Sequence, residues 1–139
     1  MKKSQFNSLI KEGYNHIPLS REVVVDTDTP LALYLKLANN PYSYFLESVQ
    51  GGEKWGRYSF IGLAAETVIK VNDYEVRIEK NGKLVHKYEV EDPLAWIEEY
   101  QNQFKVPQLD SLPDFNGGLV GYFGYEIVRY IEPKLAHIN

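Results

Sequence analysis

The chain of 139 residues contains no cysteine. This absence excludes disulfides, thiolate metal sites and cysteine nucleophiles. No apolar run approaches the roughly 20 residues that a membrane-spanning helix needs. The N-terminus, which begins Met1-Lys2-Lys3-Ser4, has no apolar core of the kind found in secretory signals. We therefore expect a soluble protein located in the cytoplasm.

Blocks of like charge are absent as well. Fifteen basic and nineteen acidic residues give a net charge of -4, and they are interspersed along the chain. Surfaces that bind nucleic acids or anionic membranes normally cluster lysine and arginine, so neither is an expected partner. Apolar material is plentiful, with 44% hydrophobic and 14% aromatic residues. A domain of this size buries roughly two-thirds of its unfolded surface, so the composition predicts a substantial core.

Two helices are predicted from their start signals. Thr29 precedes Pro30, and Asp92 precedes Pro93, which in each case places a capping side chain before a proline suited to the first helical turn. The first helix should end before Pro41. The apolar faces predicted for these helices are Leu31, Leu35 and Ala38 in the first, and Leu94, Ile97, Tyr100 and Phe104 in the second.

Most of the remaining chain has the pattern of β-strands. Asn81-Gly82 lies between two alternating runs, which is the strongest short signal for a hairpin. Val76 and Ile78 alternate with charged residues, so one face of this sheet should be buried. Strands are predicted at 21–26, 44–49, 58–62, 67–71, 74–80, 83–90 and 117–124, and a short helix should end at Ile131. We expect an α+β fold in a single domain, with a mainly antiparallel sheet or sandwich and two principal helices.

The segment from Tyr44 to Gly62 is predicted to form two strands around a polar loop. Glu47 and Ser48 interrupt the first of these strands, and an unpaired buried polar group costs about 1–3 kcal/mol. One explanation is an exposed edge strand with its polar groups in water. The other is a ligand: the ammonium group of an amino acid suits Glu47 and Ser48, and its carboxylate would need Arg57 or a backbone amide.

Other functional motifs are not supported. Gly51-Gly52 and Gly56 lack the spacing of a nucleotide-binding loop. The three histidines, His16, His86 and His137, are widely spaced along the chain, and we expect no metal site among them. No serine occupies a strand-to-helix elbow. We therefore predict no catalytic residue and no metal ligand in this chain.

Four motifs together resemble the anthranilate synthase component I family, and the resemblance extends from Phe6 to Leu135. Each motif alone is weak, but their shared order and spacing are specific. The motifs are Leu46-Glu47-Ser48, Gly51-Gly52-Glu53, Gly56-Arg57-Tyr58-Ser59-Phe60-Ile61-Gly62, and Gly117-Gly118-x-x-Gly121-Tyr122-x-x-Tyr125-Glu126-x-x-Arg129.

The resemblance implies a regulatory N-terminal domain in tryptophan biosynthesis. By this resemblance Leu46, Glu47, Ser48 and Arg57 would contact L-tryptophan, the feedback inhibitor. The family's enzyme is a lyase that converts chorismate and ammonia to anthranilate and pyruvate, with ammonia supplied by a glutamine amidotransferase, component II. Its chorismate site and Mg²⁺-binding glutamates lie in a C-terminal domain outside these 139 residues. The chain would then scaffold that domain, and we expect it to be inactive alone.

Three alternatives remain open at this stage. Aminodeoxychorismate synthase component I is a close relative with the same fold, although the run from Gly51 to Phe60 favours the anthranilate enzyme. A free-standing amino-acid-binding module would use the same polar strand without any catalytic partner. A plain interaction domain would bind no ligand there, because its polar strand would simply be an edge.

Overall fold

A computed structural model describes residues 1–47 and 58–135 of the chain. Contacts divide the chain into two compact units, one formed by the residues before Val23 and after Glu89, the other by Val23–Glu89. The described helices are α1 (Lys3–Lys11), α2 (Pro30–Leu37), α3 (Pro93–Asn102) and α4 (Val128–Ile131), with 3-10 turns at Tyr125–Ile127 and Pro133–Leu135. The described strands are β1 (Tyr44–Glu47), β2 (Ser59–Gly62), β3 (Thr67–Asn72), β4 (Glu75–Lys80) and β5 (Lys83–Glu89).

The strands pair only in antiparallel fashion in the described part of the chain, which confirms the α+β class. They form two separate sheets, a two-stranded sheet β1-β2 and a three-stranded sheet β3-β4-β5. Both sheets belong to the second unit, together with α2. No helix in the described ranges is both long and apolar enough to cross a membrane.

Helix α1 was not predicted, although its end carries a recognisable signal. Gly13 has φ +92° and follows the helix directly after its last cap residue. The amide of Gly13 donates to the carbonyl of Ile10, and the amide of Tyr14 donates to that of Leu9. This pair of bonds is a Schellman motif, which glycine favours because it adopts positive φ without steric cost. Gly13 was therefore a local sequence signal for the end of this helix.

Both predicted helix starts are confirmed by their capping bonds. The Thr29 hydroxyl accepts from the amide of Ala32 at 3.2 Å. The Asp92 carboxylate accepts from the amides of Leu94 and Ala95 at 2.9 and 3.1 Å. Such caps satisfy amides that have no partner inside the helix.

The predicted apolar face of α2 is wrong in part. Leu31 and Leu35 are 52% and 55% exposed, whereas Ala38 is fully buried. The half-buried side chains of the helix include Leu33 and Tyr34. Helix α2 is only eight residues long and rich in leucine, so several of its faces are apolar enough to be buried. Its packing against β2 decides which of these faces is covered.

The polar segment after α1 is fastened to the end of α3. The side-chain amide of Asn15 donates to the carbonyl of Gln103 at 2.7 Å, and its oxygen accepts from the amide of Lys105 at 2.7 Å. His16 contacts Phe104 edge-on, with 4.7 Å between ring centroids. Phe104, predicted on the apolar face of the helix, thus lies beyond the last helical residue and packs against the preceding segment.

The three-stranded sheet follows the predicted alternation. Val76 is fully buried and Ile78 is 8% exposed, while Arg77 between them is exposed. On the polar face, Glu75 forms ion pairs with Lys87 and Arg77. The hydrogen bond from Lys87, followed by that from Arg77, lowers the pKa of the Glu75 carboxyl below its usual value. One sheet face is therefore apolar and the other is charged, as predicted.

The β4-β5 turn allows a direct test of the hairpin prediction. Asn81 and Gly82 have φ +50° and +73°, as a type I′ turn requires. A Cβ added at Gly82 would meet no atom within 4 Å, so only backbone strain opposes a side chain there. We expect Gly82→Ala to lower the free energy of unfolding by about 1–2 kcal/mol, measured by urea denaturation. Gly124→Ala is the control, because Gly124 has φ -68° and equally open space; equal losses at both positions would contradict the prediction.

Two predicted strands are not formed. Residues 21–26 and 117–124 have no strand conformation in the structure. Val23 and Val24 are 67% and 82% exposed, and Leu119 and Val120 are 42% and 41% exposed. High β-propensity describes how well a side chain suits a packed sheet surface, so it does not create a strand where no neighbour pairs with it.

The core is smaller than the composition predicts. Among the described residues, the buried hydrophobic side chains are Ala38, Val76 and Ile78. Many large apolar side chains are instead exposed, including Tyr122 at 95% and Tyr125 at 89%. Much of the hydrophobic content of the described residues is therefore exposed or only half-buried.

Candidate functional site

The candidate site lies on the hairpin formed by β1 and β2, which confirms the predicted strand pair. Their register places Tyr44 opposite Gly62, Phe45 opposite Ile61, Leu46 opposite Phe60 and Glu47 opposite Ser59. Of the four predicted tryptophan contacts, Leu46 and Glu47 lie at the end of β1. Ser48 and Arg57 lie outside the described residues.

Leu46 and Glu47 project from opposite faces of the hairpin, since side chains alternate along a strand. The Glu47 face also carries Phe45 and the opposed Ser59, and the Leu46 face carries Phe60. Leu46 is 47% exposed and Glu47 is also exposed. A small ligand that contacts the Glu47 side chain would therefore contact mainly the backbone of Leu46 and not the Leu46 side chain.

The Glu47 carboxylate has a hydrogen-bond partner on the facing strand. The hydroxyl of Ser59 donates to Glu47 Oε1 at 3.2 Å. Since Glu47 is exposed, its charge carries no burial cost, and the exposed-edge explanation accounts for its presence in the strand. A carboxylate offers about four acceptor positions, so the bond from Ser59 orients the group and leaves acceptor capacity for a ligand.

One backbone edge of β1 has no strand partner among residues 1–47 and 58–135. Within the described ranges it pairs with β2 alone. Backbone groups on the edge away from β2 have no strand partner in the described part of the chain. Such an edge supplies amides and carbonyls that can bind an extended or zwitterionic ligand.

Tyr44, the first residue of β1, is in close contact with Gly62, the last residue of β2. A Cβ added at Gly62 would lie 2.0 Å from the nearest atom of the Tyr44 ring. The ring therefore covers the glycine of the facing strand, in the space that any other residue would fill. The two residues share the face that carries Leu46.

The loop before β1 is linked to the three-stranded sheet. Lys70 Nζ lies 2.8 Å from a carboxylate oxygen of Glu79 and 5.6 Å from the centroid of the Tyr42 ring. Hydrogen bonds to Glu79 and then Tyr42 raise the pKa of Lys70 above its ordinary value. The carbonyl of Tyr42 also accepts from the amide of Ala65 at 3.0 Å. The contact with Lys70 and the bond from Ala65 therefore fix the position of Tyr42, two residues before β1.

A metal-binding cluster is not found in the part of the chain that the structure describes, where no three histidine or acidic side chains gather closely enough to hold an ion. The hairpin offers a carboxylate, a hydroxyl and open backbone groups. These are groups that bind an amino acid or a similar zwitterion.

Comparison with known proteins finds several relatives that carry the same name. The chain is 55% identical over 136 residues to the anthranilate synthase component 1 of Pseudomonas aeruginosa, and 56% identical to that of Pseudomonas putida. It is 44% identical over 125 residues to the enzyme of that name from Aquifex aeolicus. The two Pseudomonas matches each cover 98% of this chain. Over nearly its whole length, this chain is similar to the N-terminal region of proteins named anthranilate synthase component 1.

The chain corresponds to one part of that family's proteins. It spans about 28% of the length of the two Pseudomonas relatives, in their N-terminal region. No protein-family profile and no solved structure matches it. The similarity to anthranilate synthase component 1 therefore depends on sequence identity alone, and it confirms the resemblance inferred from the four motifs.

Proposed function

We propose that this chain is the regulatory N-terminal part of an anthranilate synthase component 1, and that it contributes to a binding site for L-tryptophan. The exposed Glu47 carboxylate at the end of β1 is the observation that carries the proposal. It is oriented by Ser59 across the hairpin. The naming of the relatives and the position of Glu47 in the Leu46-Glu47-Ser48 motif both support it.

The proposed ligand chemistry is that of a zwitterion with an aromatic side chain. Its ammonium group would bind the Glu47 carboxylate, with the Ser48 hydroxyl as a second acceptor. Its carboxylate would bind Arg57 or an open amide of β1. A charge-assisted hydrogen bond is roughly twice as strong as a neutral one, so the Glu47 contact would dominate recognition of the amino group.

We also propose a scaffolding role for the segment from Leu119 to Ile131, which belongs to the first unit. From Leu119 to Ile131 this segment exposes aromatic and aliphatic side chains, with Phe123 at 65% and Ile131 at 68%. Apolar surface gains about 25 cal/mol per Å² when it is removed from water, so such a segment is stabilised by a covering partner. The proposed partner is the catalytic domain that follows this region in the family's enzymes.

The whole protein's activity follows from the same proposal. It would be a lyase that forms anthranilate and pyruvate from chorismate, with ammonia from a glutamine amidotransferase, component II. Chorismate and Mg²⁺ would bind in the catalytic domain, so the 139-residue chain alone would be inactive. Aminodeoxychorismate synthesis and a free-standing amino-acid-binding module are the competing functions.

The proposal can be tested in a chimera whose N-terminal region comes from this chain. In it the 136 matched residues of the Pseudomonas aeruginosa enzyme are replaced by their counterparts here. We expect the chimera to form anthranilate from chorismate and ammonia, detected by fluorescence, and to be inhibited by L-tryptophan. A folded chimera that forms no anthranilate would contradict the scaffolding role, and an active chimera that tryptophan does not inhibit would contradict the regulatory role.

Glu47→Gln separates recognition of the ammonium group from the structure of the hairpin. Glutamine keeps an oxygen that can accept from Ser59, but it removes the negative charge. We expect the inhibition constant for tryptophan to rise about 10- to 100-fold, the equivalent of a hydrogen bond to a charged group, with turnover unchanged. Glu98→Gln, an exposed position on α3, is the matched control. Equal inhibition of the wild-type chimera and the Glu47→Gln variant would refute the site.

A further inference from the structure

The tyrosine of α2 contacts the segment that leads into β1. Tyr34 Oη lies 3.1 Å from Ser43 Oγ, and Ser43 immediately precedes the strand. Ser43 Oγ in turn lies 2.7 Å from the carbonyl oxygen of Asn40, to which it donates. Since a serine hydroxyl has one proton, Tyr34 must be the donor in its bond with Ser43. The direction of both bonds is thereby determined.

The same tyrosine packs directly on the strand. Its ring stacks on that of Phe45, with 5.6 Å between centroids and 23° between planes. Phe45 projects from the Glu47 face of β1, two residues before Glu47. Tyr34 is part-buried, so its hydroxyl bond is partly shielded from competition by water. Two contacts therefore join α2 to β1. One is the hydrogen bond to Ser43, immediately before the strand, and the other is the ring contact with Phe45, on the face of the strand that carries Glu47.

We propose that Tyr34 is a positioning residue for the tryptophan site, acting through Ser43 and Phe45 on the strand that carries Glu47. This inference rests on the function proposed above. The hydrogen bond fixes the position of Ser43, immediately before β1. The stacked ring fixes the distance between α2 and the face of β1 that carries Phe45 and Glu47. Glu47 then reaches the ligand's ammonium group only when β1 is held in this place. Binding of the inhibitor is thus linked to the placement of α2.

Tyr34→Phe tests the role of the hydroxyl, because it keeps the ring on Phe45 and removes the proton donated to Ser43. In the chimera we expect the inhibition constant for tryptophan to rise about three- to tenfold, as expected for loss of one hydrogen bond. The kcat and the KM for chorismate should not change. Ser43→Ala should produce at least as large a rise, because it also removes the bond to the Asn40 carbonyl, and the double variant should be no worse than Ser43→Ala alone.

The controls distinguish positioning from general loss of structure. Tyr14→Phe, which removes a tyrosine hydroxyl in the first unit, should leave inhibition unchanged. A Tyr34→Phe variant with unaltered inhibition, or with kcat reduced as much as inhibition, would overturn the inference. If Glu47→Gln weakens inhibition and Tyr34→Phe does not, only the positioning role fails. If neither has an effect, the proposed site itself fails.

Discussion

Val76→Asp is expected to lower the free energy of unfolding by about 3–5 kcal/mol, because it places an unpaired carboxylate in the interior. Val76 lies in the central strand β4 and is fully buried. It faces away from the ion pairs of Glu75 and Arg77, so the basic side chains on that opposite face cannot neutralise the new charge. The loss can be measured by urea denaturation followed by circular dichroism.

Val24→Asp provides the matched control for this substitution. It makes the same chemical change in the same unit, but Val24 is 82% exposed. We expect its effect to stay within about 0.5 kcal/mol, as for most surface substitutions. A large loss at Val24 would mean that residues 21–26 pack as a strand, and a small loss at Val76 would mean that the three-stranded sheet does not form the stable core.

Gly62→Ala is expected to displace the Tyr44 ring and to destabilise the chain by about 1–3 kcal/mol, the range found for overpacked sites. The new methyl carbon would lie 2.0 Å from the ring, so the tyrosine must leave its position over β2. The free energy of unfolding reports this change. In the chimera, the same variant should weaken tryptophan inhibition, because Tyr44 begins the strand that ends at Glu47.

A double-mutant cycle identifies the clash as the cause. Once Tyr44→Ala has removed the ring, adding Gly62→Ala should cost little, so the two losses should not add. Gly121→Ala is a further control, since a Cβ there would meet no atom within 4 Å. Additive losses at Gly62 and Tyr44 would show that the cost arises from the β2 backbone and not from the ring.

Local signals predicted the elements that depend on a few neighbouring residues. The caps at Thr29 and Asp92 are satisfied by atoms two or three residues away, and the turn at Asn81-Gly82 follows from the positive φ of these two residues. The alternation around Val76 likewise follows from the pleat of a single strand. These features were read correctly because their stabilising contacts are close in sequence.

Features that depend on distant contacts were predicted less well. The valines at 23–25 suit a strand, but no strand among the described residues pairs with them. The buried side of α2 could not be selected from leucine spacing, since the helix is apolar on several sides and β2 decides which side is covered. The end of α1 at Gly13, by contrast, was a local signal that the sequence reasoning overlooked.

The candidate site divides in the same way. The motif around Glu47 was visible in the sequence, and strand alternation alone places Leu46 on the other face. The bond from Ser59 and the support from Tyr34 were not visible, because each needs two segments brought together by folding.

The sequence by itself determined the family resemblance, the helix caps, the hairpin turn and the polar motif that marks the candidate site. Only the tertiary structure decided which apolar residues are buried, which strands have partners, and that Glu47 is exposed with α2 supporting its strand. The physical reason is the range of the interactions. Caps and turns are closed by neighbouring residues, whereas burial and strand pairing depend on residues far apart in the chain.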